Sequence, residues 1–367
     1  MTSLYLHIPF CEKKCFYCSF VISVGQRHRV EQYLEALAKE ASFYRGTKID
    51  TIFIGGGTPT FLDENSLEKL FEIIQSNFEF DWKNECTIEA NPEGLTVLKA
   101  KLLKKLGVNR MSLGIQSLND KYLKYLGRNH DAHKAFWAFD NIRQAGFDNV
   151  SVDLMYGFPN QTLDELKRDV DELIQLNSDH VSLYTLTIEE NSRFFIKNVQ
   201  IPSGEKAVEH YELVRKILQE KHFAQYEISN FAKKDKESKH NLNYWQGGDY
   251  IGLGIGAHSH LDGRRFWNVS KLMEYLKRLE NNESSMEGSE DLTVDQRLME
   301  TVLFGLRMNQ GVNIQKLEEK FQCAMNADQL NLIEDFIRQG YLRREGKSLK
   351  TTPQGRLMLD DLSVRLI

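Results

Sequence analysis

Short apolar runs alternate with amphipathic stretches through the first half of the chain. The runs SLYLHI (3–8), TIFI (51–54), CTIE (86–89), RMSLGI (110–115), NVSVDLM (149–155) and HVSLYTL (180–186) have the length and composition of strands. Helical patterns lie between them. In RVEQYLEALAKEASFY, Val30, Tyr33, Leu34 and Leu37 recur at the spacing of one helix face. In TLDELKRDVDELIQL, Thr162 and Glu165 form a capping box ahead of a predicted buried stripe of Leu163, Leu166, Val170, Leu173 and Ile174. This alternation predicts βα units on a parallel sheet, and right-handed crossovers set successive strands side by side. The expected fold class is α/β, with six units curling into a partial (β/α)6 barrel over residues 1–195.

Beyond residue 195 the cadence weakens. A helical stretch, EKAVEHYELVRKILQEK, leads to YEISNFA, a charged KKDKESK and then HNLNYWQGGDYIGLGIGAHSH. The glycines Gly247, Gly248, Gly252, Gly254 and Gly256 suit tight turns closing one side of a cavity, so residues 196–278 read as a barrel-closing extension. The polar run LENNESSMEGSEDLT places a linker at 279–292. Residues 293–367 read as helices followed by two short strand-like runs about Glu345 and Gly346, a small winged-helix-like α+β domain expected to act as a structural lid. A length of 367 residues exceeds one comfortable core, in keeping with one large and one small domain.

Composition narrows the function classes. No uncharged apolar run approaches the roughly 20 residues of a membrane helix, so a soluble protein without a transmembrane segment is expected. A net charge of -5 argues against a surface built to neutralise phosphates, and nucleic acid is not an expected partner. The opening MTSLYLHIPF lacks the pattern of a secretory signal, which makes the cytoplasm the expected location.

Three of the cysteines are clustered: Cys11, Cys15 and Cys18 in CEKKCFYCSF. A structural zinc site would take four protein ligands, and Cys86 and Cys323 stand alone. A disulfide is disfavoured in a reducing compartment. Three thiolates on an iron–sulfur cluster leave one iron open to an outside ligand, so these cysteines are the candidate metal ligands. In parallel α/β folds ligands sit at the carboxyl ends of strands. The second run ends in Gly55, Gly56, Gly57, Thr58 and Pro59, the third at Glu89 and the fourth at Gln116 with Arg128 shortly after, while the fifth carries Asp153. Each alone is an ordinary loop polar residue or cap. Together they form a polar ring at one barrel mouth, where carboxylates and amides suit ribose hydroxyls and an arginine suits a ligand carboxylate.

The cysteine spacing, with Tyr17 before the last cysteine, resembles the signature of the radical S-adenosylmethionine (SAM) superfamily. The segments YLHIPFCEKKCFYC, GGGTPT, IEANPE, GIQS, LGR and VDLMYGFP, in that order, resemble the branch that holds oxygen-independent coproporphyrinogen III dehydrogenase and the HemW-type heme chaperone. That resemblance implies the same (β/α)6 fold and a 4Fe-4S cluster whose open iron is chelated by the amino and carboxylate groups of SAM. An electron passed to the sulfonium then yields a deoxyadenosyl radical. It also implies SAM contacts from Tyr5, Tyr17, Gly56, Gly57, Thr58, Glu89, Gln116, Arg128 and Asp153, with Thr187 and His258 carried over from less distinctive segments. No catalytic residue is assigned, and whether SAM is cleaved is left open.

Within that branch the dehydrogenase motif continues to a fourth cysteine where this chain has Phe20, and the dehydrogenase carries an N-terminal extension where ten residues precede Cys11 here. HNLNYW, from His240 to Trp245, matches the HNxxYW motif of the chaperone subgroup. Histidine is a common heme ligand and aromatic faces suit a porphyrin, so His240, Tyr244 and Trp245 are the expected heme contacts. The plainer reading has His240 and Asn241 ordering the loop while Trp245 packs in the core, and His258 and His260 in GAHSH are rival ligands. A CxxCH heme-attachment motif is absent from the sequence. The expected function is a heme chaperone that binds heme and transfers it to an acceptor hemoprotein, with an electron donor serving its cluster. The alternative is SAM-dependent oxidative decarboxylation of coproporphyrinogen III, and a distant one is a redox-sensing nucleic-acid binder.

Overall fold

In the computed structural model, which describes residues 1–366, all six apolar runs form strands. They are β1 (Thr2–Ile8), β2 (Thr51–Gly56), β3 (Cys86–Ala90), β4 (Arg110–Gln116), β5 (Val150–Tyr156) and β6 (His180–Thr185). Neighbours pair parallel in chain order, as right-handed crossovers require. Side chains alternate across a strand, so Leu4, Leu6, Ile52, Ile54, Ile88 and Val152 share one face and join the helices in a single hydrophobic core. The opposite face carries Ser3, Tyr5, Thr51, Thr87, Glu89, Arg110, Ser112, Ser151, Asp153, His180 and Ser182. A barrel filled only by itself would need apolar side chains there. This one is lined for hydrogen bonding.

The strand set then grows past six at both edges. β7 (Ala224–Gln225) and β8 (Asn230–Ala232) add antiparallel beside β6. On the other side β9 (Asp249–Leu253) pairs parallel with β1, followed antiparallel by β10 (His258–Leu261), β11 (Arg264–Asn268) and β12 (Met286–Asp291). The glycine-rich stretch read as turns is therefore partly strand. Its glycines serve close approach: a Cβ at Gly252 would lie 2.1 Å from the His258 carbonyl oxygen, and one at Gly254, where φ is +97°, 2.3 Å from the Tyr33 hydroxyl.

The expected linker at 279–292 is corrected in the same way. Residues 286–291 of it are β12, an edge strand of the sheet, and its Glu290 and Asp291 meet Arg265 and Arg264 of β11 at 2.7 and 3.7 Å. Polar composition there marks a solvated sheet edge rather than a loop. The helix Leu163–Gln175 has the expected capping box, but Leu163, its first residue, is 43% exposed rather than buried. Ile174 is half-buried, and buried Asp169 is spent on the segment that follows β4, accepting from the Ser117 hydroxyl and the Leu118 amide.

The C-terminal unit has its own core of Leu298, Val302, Leu306, Ile333, Phe336 and Leu349. It comprises helices Val294–Leu306, Ile314–Phe321 and Ala327–Arg338, the hairpin β13 (Leu342–Glu345) and β14 (Ser348–Thr351), and two short final helices, the order expected of a winged-helix-like module. It docks on the barrel through Arg307, 3.4 Å from the fully buried Glu227 carboxylate, and through Arg356, which donates to Gln225.

One carboxylate ties the extension to the barrel. Glu40 of the helix Val30–Ser42 is 2% exposed and accepts from the Gly254 amide (2.8 Å), the Asn268 side chain (2.5 Å), the Ser285 hydroxyl (3.0 Å) and the Tyr275 hydroxyl (2.5 Å). Removing a sole acceptor strands buried donors at about 1–3 kcal/mol each. Glu40→Ala is therefore expected to lower the unfolding free energy by about 3 kcal/mol in urea titration. A loss under about 1 kcal/mol would show that this anchor is redundant.

Candidate functional site

β1 runs straight into the cysteine loop. Phe10 and Cys11 pair in parallel with Ser23 and Val24, and the Ser23 amide donates to the Pro9 carbonyl at 2.7 Å, so the loop folds back as a closed flap over the barrel end. All three of its cysteines are free thiols, and they line one cavity of about 650 Å³ at the carboxyl ends of the strands. Burial pushes the Cys11 thiol up to about 11, with the Thr58 hydroxyl 3.5 Å from its sulfur opposing that shift. Arg128 donates toward the Cys15 sulfur at 3.6 Å.

The end of β2 crosses directly beneath this loop. A Cβ on Gly57 would come 2.8 Å from the Pro9 backbone, and one on Gly56, where φ is +109°, 2.6 Å from the His7 ring. Only glycine permits both the backbone conformation and the approach. The Gly56 amide donates to Glu89 at 3.1 Å. Gln116 closes β4 with φ at +71°, a conformation that costs a non-glycine residue about 1–3 kcal/mol and that recurs at ligand sites.

Arg128 is fixed by the Asn91 carbonyl oxygen at 2.8 Å and the Gly114 carbonyl at 2.7 Å, and Asn91 in turn donates to Thr58 at 3.0 Å. Arginine, asparagine and threonine thus brace the cysteine loop against the ends of β2, β3 and β4. Two carboxylates face each other across the floor. Burial, then the Asp153 charge, pushes Glu89 up to about 7, and burial lifts Asp153 to about 6 against the Ser182, Arg110 and Ser112 groups that favour its ionised form.

Of the sequence-derived set, Cys11, Cys15, Cys18, Tyr17, Gly56, Gly57, Thr58, Glu89, Gln116, Arg128, Asp153 and Thr187 all line this cavity. Tyr5 does not: it lies one layer below, its hydroxyl 2.9 Å from Nδ1 of His7. Phe20, 65% exposed, stands at the mouth. Sequence reasoning missed Asn91, Ser112, Met155, Tyr184 and Glu189, which also line it. Ser112 was within reach, since it alternates with Gly114 and Gln116 on one strand face.

HNLNYW lies at the other end of the barrel. It forms the helix Lys239–Trp245, whose first amides, Lys239 and His240, donate to the Glu85 carboxylate at 2.8 and 3.0 Å. A continuous hydrogen-bond chain anchors it to the first turns of the strands: Asn243 to Ser3 at 2.9 Å, Ser3 to Thr51 at 2.7 Å, Thr51 to His240 Nδ1 at 3.0 Å, and His240 Nε2 to the Tyr244 hydroxyl at 2.8 Å. His240 is 1% exposed, and burial, then Arg110, drives it down to about 3. Both ring nitrogens are thus occupied within the protein, the arrangement of the plainer reading in which His240 orders this segment. Tyr244 and Trp245 instead line a second cavity, and so does His258, which is absent from the first.

Residues 5–173 match the family model described as the radical SAM superfamily, and residues 292–358 match the one described as the HemN C-terminal domain. Fold and site therefore define a radical SAM protein, the class that carries a 4Fe-4S cluster and SAM. The donor set fits that cluster: three free thiols share one cavity, beside a glycine cradle that any Cβ would fill. Over 98% of its length the chain is 35% identical to the heme chaperone HemW of Bacillus subtilis and covers 97% of that relative. It is 34% identical to HemW of Lactococcus lactis, with 98% of each covered, and 31% identical to the mitochondrial radical S-adenosyl methionine domain-containing protein 1 of Danio rerio, with 98% and 85% covered. The chain belongs to the HemW family. Its fold is also that of coproporphyrinogen III oxidase (HemN) from Escherichia coli, with a TM-score of 0.88 at 24% identity over 100% of this chain and 89% of that one.

Cys15→Ala is expected to abolish the visible absorbance and the reduced-state paramagnetic signal of anaerobically reconstituted protein. An unchanged signal would refute the three-cysteine ligand set.

Proposed function

We propose that this protein is a heme chaperone that binds heme and transfers it to an acceptor hemoprotein, carrying a SAM-bound 4Fe-4S cluster as a redox or regulatory element. The observation that carries this reading is the full-length relation to HemW proteins, which extends through both the barrel and the C-terminal unit. Phe20 and HNLNYW support it over decarboxylation of coproporphyrinogen III, since the likeness to HemN speaks to fold alone. An electron donor for the cluster and a cytoplasmic setting belong to the same proposal. No helix among the described residues is long and apolar enough to cross a membrane.

In this reading Cys11, Cys15 and Cys18 hold the cluster, which when loaded supplies an electron to the SAM sulfonium. This chain's own residues position the ligand. Gly56, Gly57 and Thr58 leave room for its amino group, Arg128 offers a fixed positive charge, and Glu89, Gln116, Asp153 and Tyr17 provide polar and aromatic walls. Tyr5 lies behind that wall with its hydroxyl 2.9 Å from His7 Nδ1.

SAM is cationic at its sulfonium, so it favours the ionised forms of Glu89 and Asp153, whose values near 7 and 6 mean that protons must leave as it binds. Its affinity should therefore rise with pH, by about tenfold between pH 6 and pH 8 for one linked proton. Calorimetric titration showing no rise, or a fall, would remove both carboxylates from the contact set. On function, reconstituted protein should bind hemin and pass it to an apo-hemoprotein. Stoichiometric consumption of coproporphyrinogen III with SAM, without stable heme binding, would establish the decarboxylase instead.

A further inference from the structure

The second cavity is built for a flat, anionic, metal-bearing ligand. Resting on the heme reading above, we propose that heme binds between the β9–β11 extension and the C-terminal domain, with His260 as iron ligand and Arg297 as partner for a porphyrin carboxylate.

Sheet register places the histidines. Tyr250 pairs with His260, His260 with Arg265 and His258 with Trp267, so all five side chains share one sheet face. Through Tyr250 opposite Ser3, that face continues the barrel's polar inner face. Opposite it, the helix Val294–Leu306 presents Arg297, Glu300, Thr301 and Phe304, which fall at i, i+3, i+4 and i+7 on a single stripe. Tyr244 and Trp245 close one end. The space between is about 520 Å³, within the range of cofactor pockets and at a domain junction where such pockets concentrate.

Two features of the lining are unspent. The Nδ1 of His260 lies 3.5 Å from the Asp249 carboxylate, without a hydrogen bond between them, and Nε2 makes no hydrogen bond to any described residue; a carboxylate on that side of the ring is where metal-binding imidazoles take their orienting partner. Burial lowers its pKa, which keeps that nitrogen's lone pair available at neutral pH. Among the arginines, Arg265 is taken by Glu290 and Glu300 and Arg307 by Glu227. Arg297 stands over the Phe321 ring at 5.5 Å but has no carboxylate within ion-pair distance among the described residues, and its Nε is buried without a hydrogen-bond partner. An unpaired guanidinium calls for an anion, which a simple anion would supply without using the histidine. An iron porphyrin uses both.

This placement also gives His240 a role: its bond to the Tyr244 hydroxyl holds one wall, making it a positioning residue for heme. The two cavities share no lining residue. His260 stands level with Ser3, five residues short of the end of β1 at Ile8, which puts heme iron roughly 15 Å or more from the cluster along the strand direction.

The test is hemin titration of the full, cluster-reconstituted chain, read at the Soret band. Wild type should bind one hemin with a histidine-ligated spectrum. His260→Ala should weaken binding at least tenfold and shift the band, with added imidazole restoring it, while His258→Ala changes affinity less than threefold. Arg297→Gln should weaken hemin severalfold but leave hemin dimethyl ester, which lacks the carboxylates, unaffected. Cluster absorbance and melting temperature serve as folding controls. Wild-type affinity and spectrum in both His260→Ala and Arg297→Gln would overturn this site while leaving the heme reading standing. Absence of hemin binding by wild type would overturn both.

Discussion

Everything in this structure depends on one constraint: the inner face of the barrel is polar and must be satisfied without being sealed. Serines, threonines, histidines and carboxylates occupy positions that a closed barrel gives to branched apolar residues. A buried polar group without a partner is costly, so the amino ends are capped by the HNLNYW helix and its hydrogen-bond chain through Ser3, Thr51 and His240. The carboxyl ends are left open, and there the unsatisfied capacity of Glu89, Asp153 and Arg128 becomes a ligand site. Polarity inside thus divides the barrel into a pinned floor and a receptive mouth.

The same constraint explains the edges. A polar inner face cannot close on itself by packing alone, so the sheet widens through β9 to β12 and is held there by Glu40. The widening creates a face with no barrel beneath it. The C-terminal domain covers that face, and the second cavity lies in the seam. Cofactor chemistry and cargo binding are thereby separated in space while sharing one sheet.

The six core strands and the cysteine site were legible because each rests on local pattern: apolar runs bounded by helices, and three thiols within eight residues. The strand-end ring was legible because topology fixes which end binds. The edge strand at 286–291 was not, because a solvated strand and a linker share a composition and only pairing with β11 tells them apart. The surroundings of His240 were not legible for a related reason. A motif histidine looks alike whether it faces a ligand or a buried hydroxyl, and the partners Thr51 and Tyr244 meet it only in the fold. Tyr5 was assigned by resemblance, while its place below the wall follows from the pleat and from His7 beside it.

The central claim is that heme and cluster occupy different places in one molecule, as a carrier requires and a decarboxylase acting on a porphyrin at its cluster does not. Anomalous diffraction at the iron edge from crystals of reconstituted, hemin-loaded protein measures this directly. Two separate iron positions are predicted, one at Cys11, Cys15 and Cys18 and one beside His260 against the C-terminal domain. Heme iron inside the cysteine-lined cavity would contradict the account.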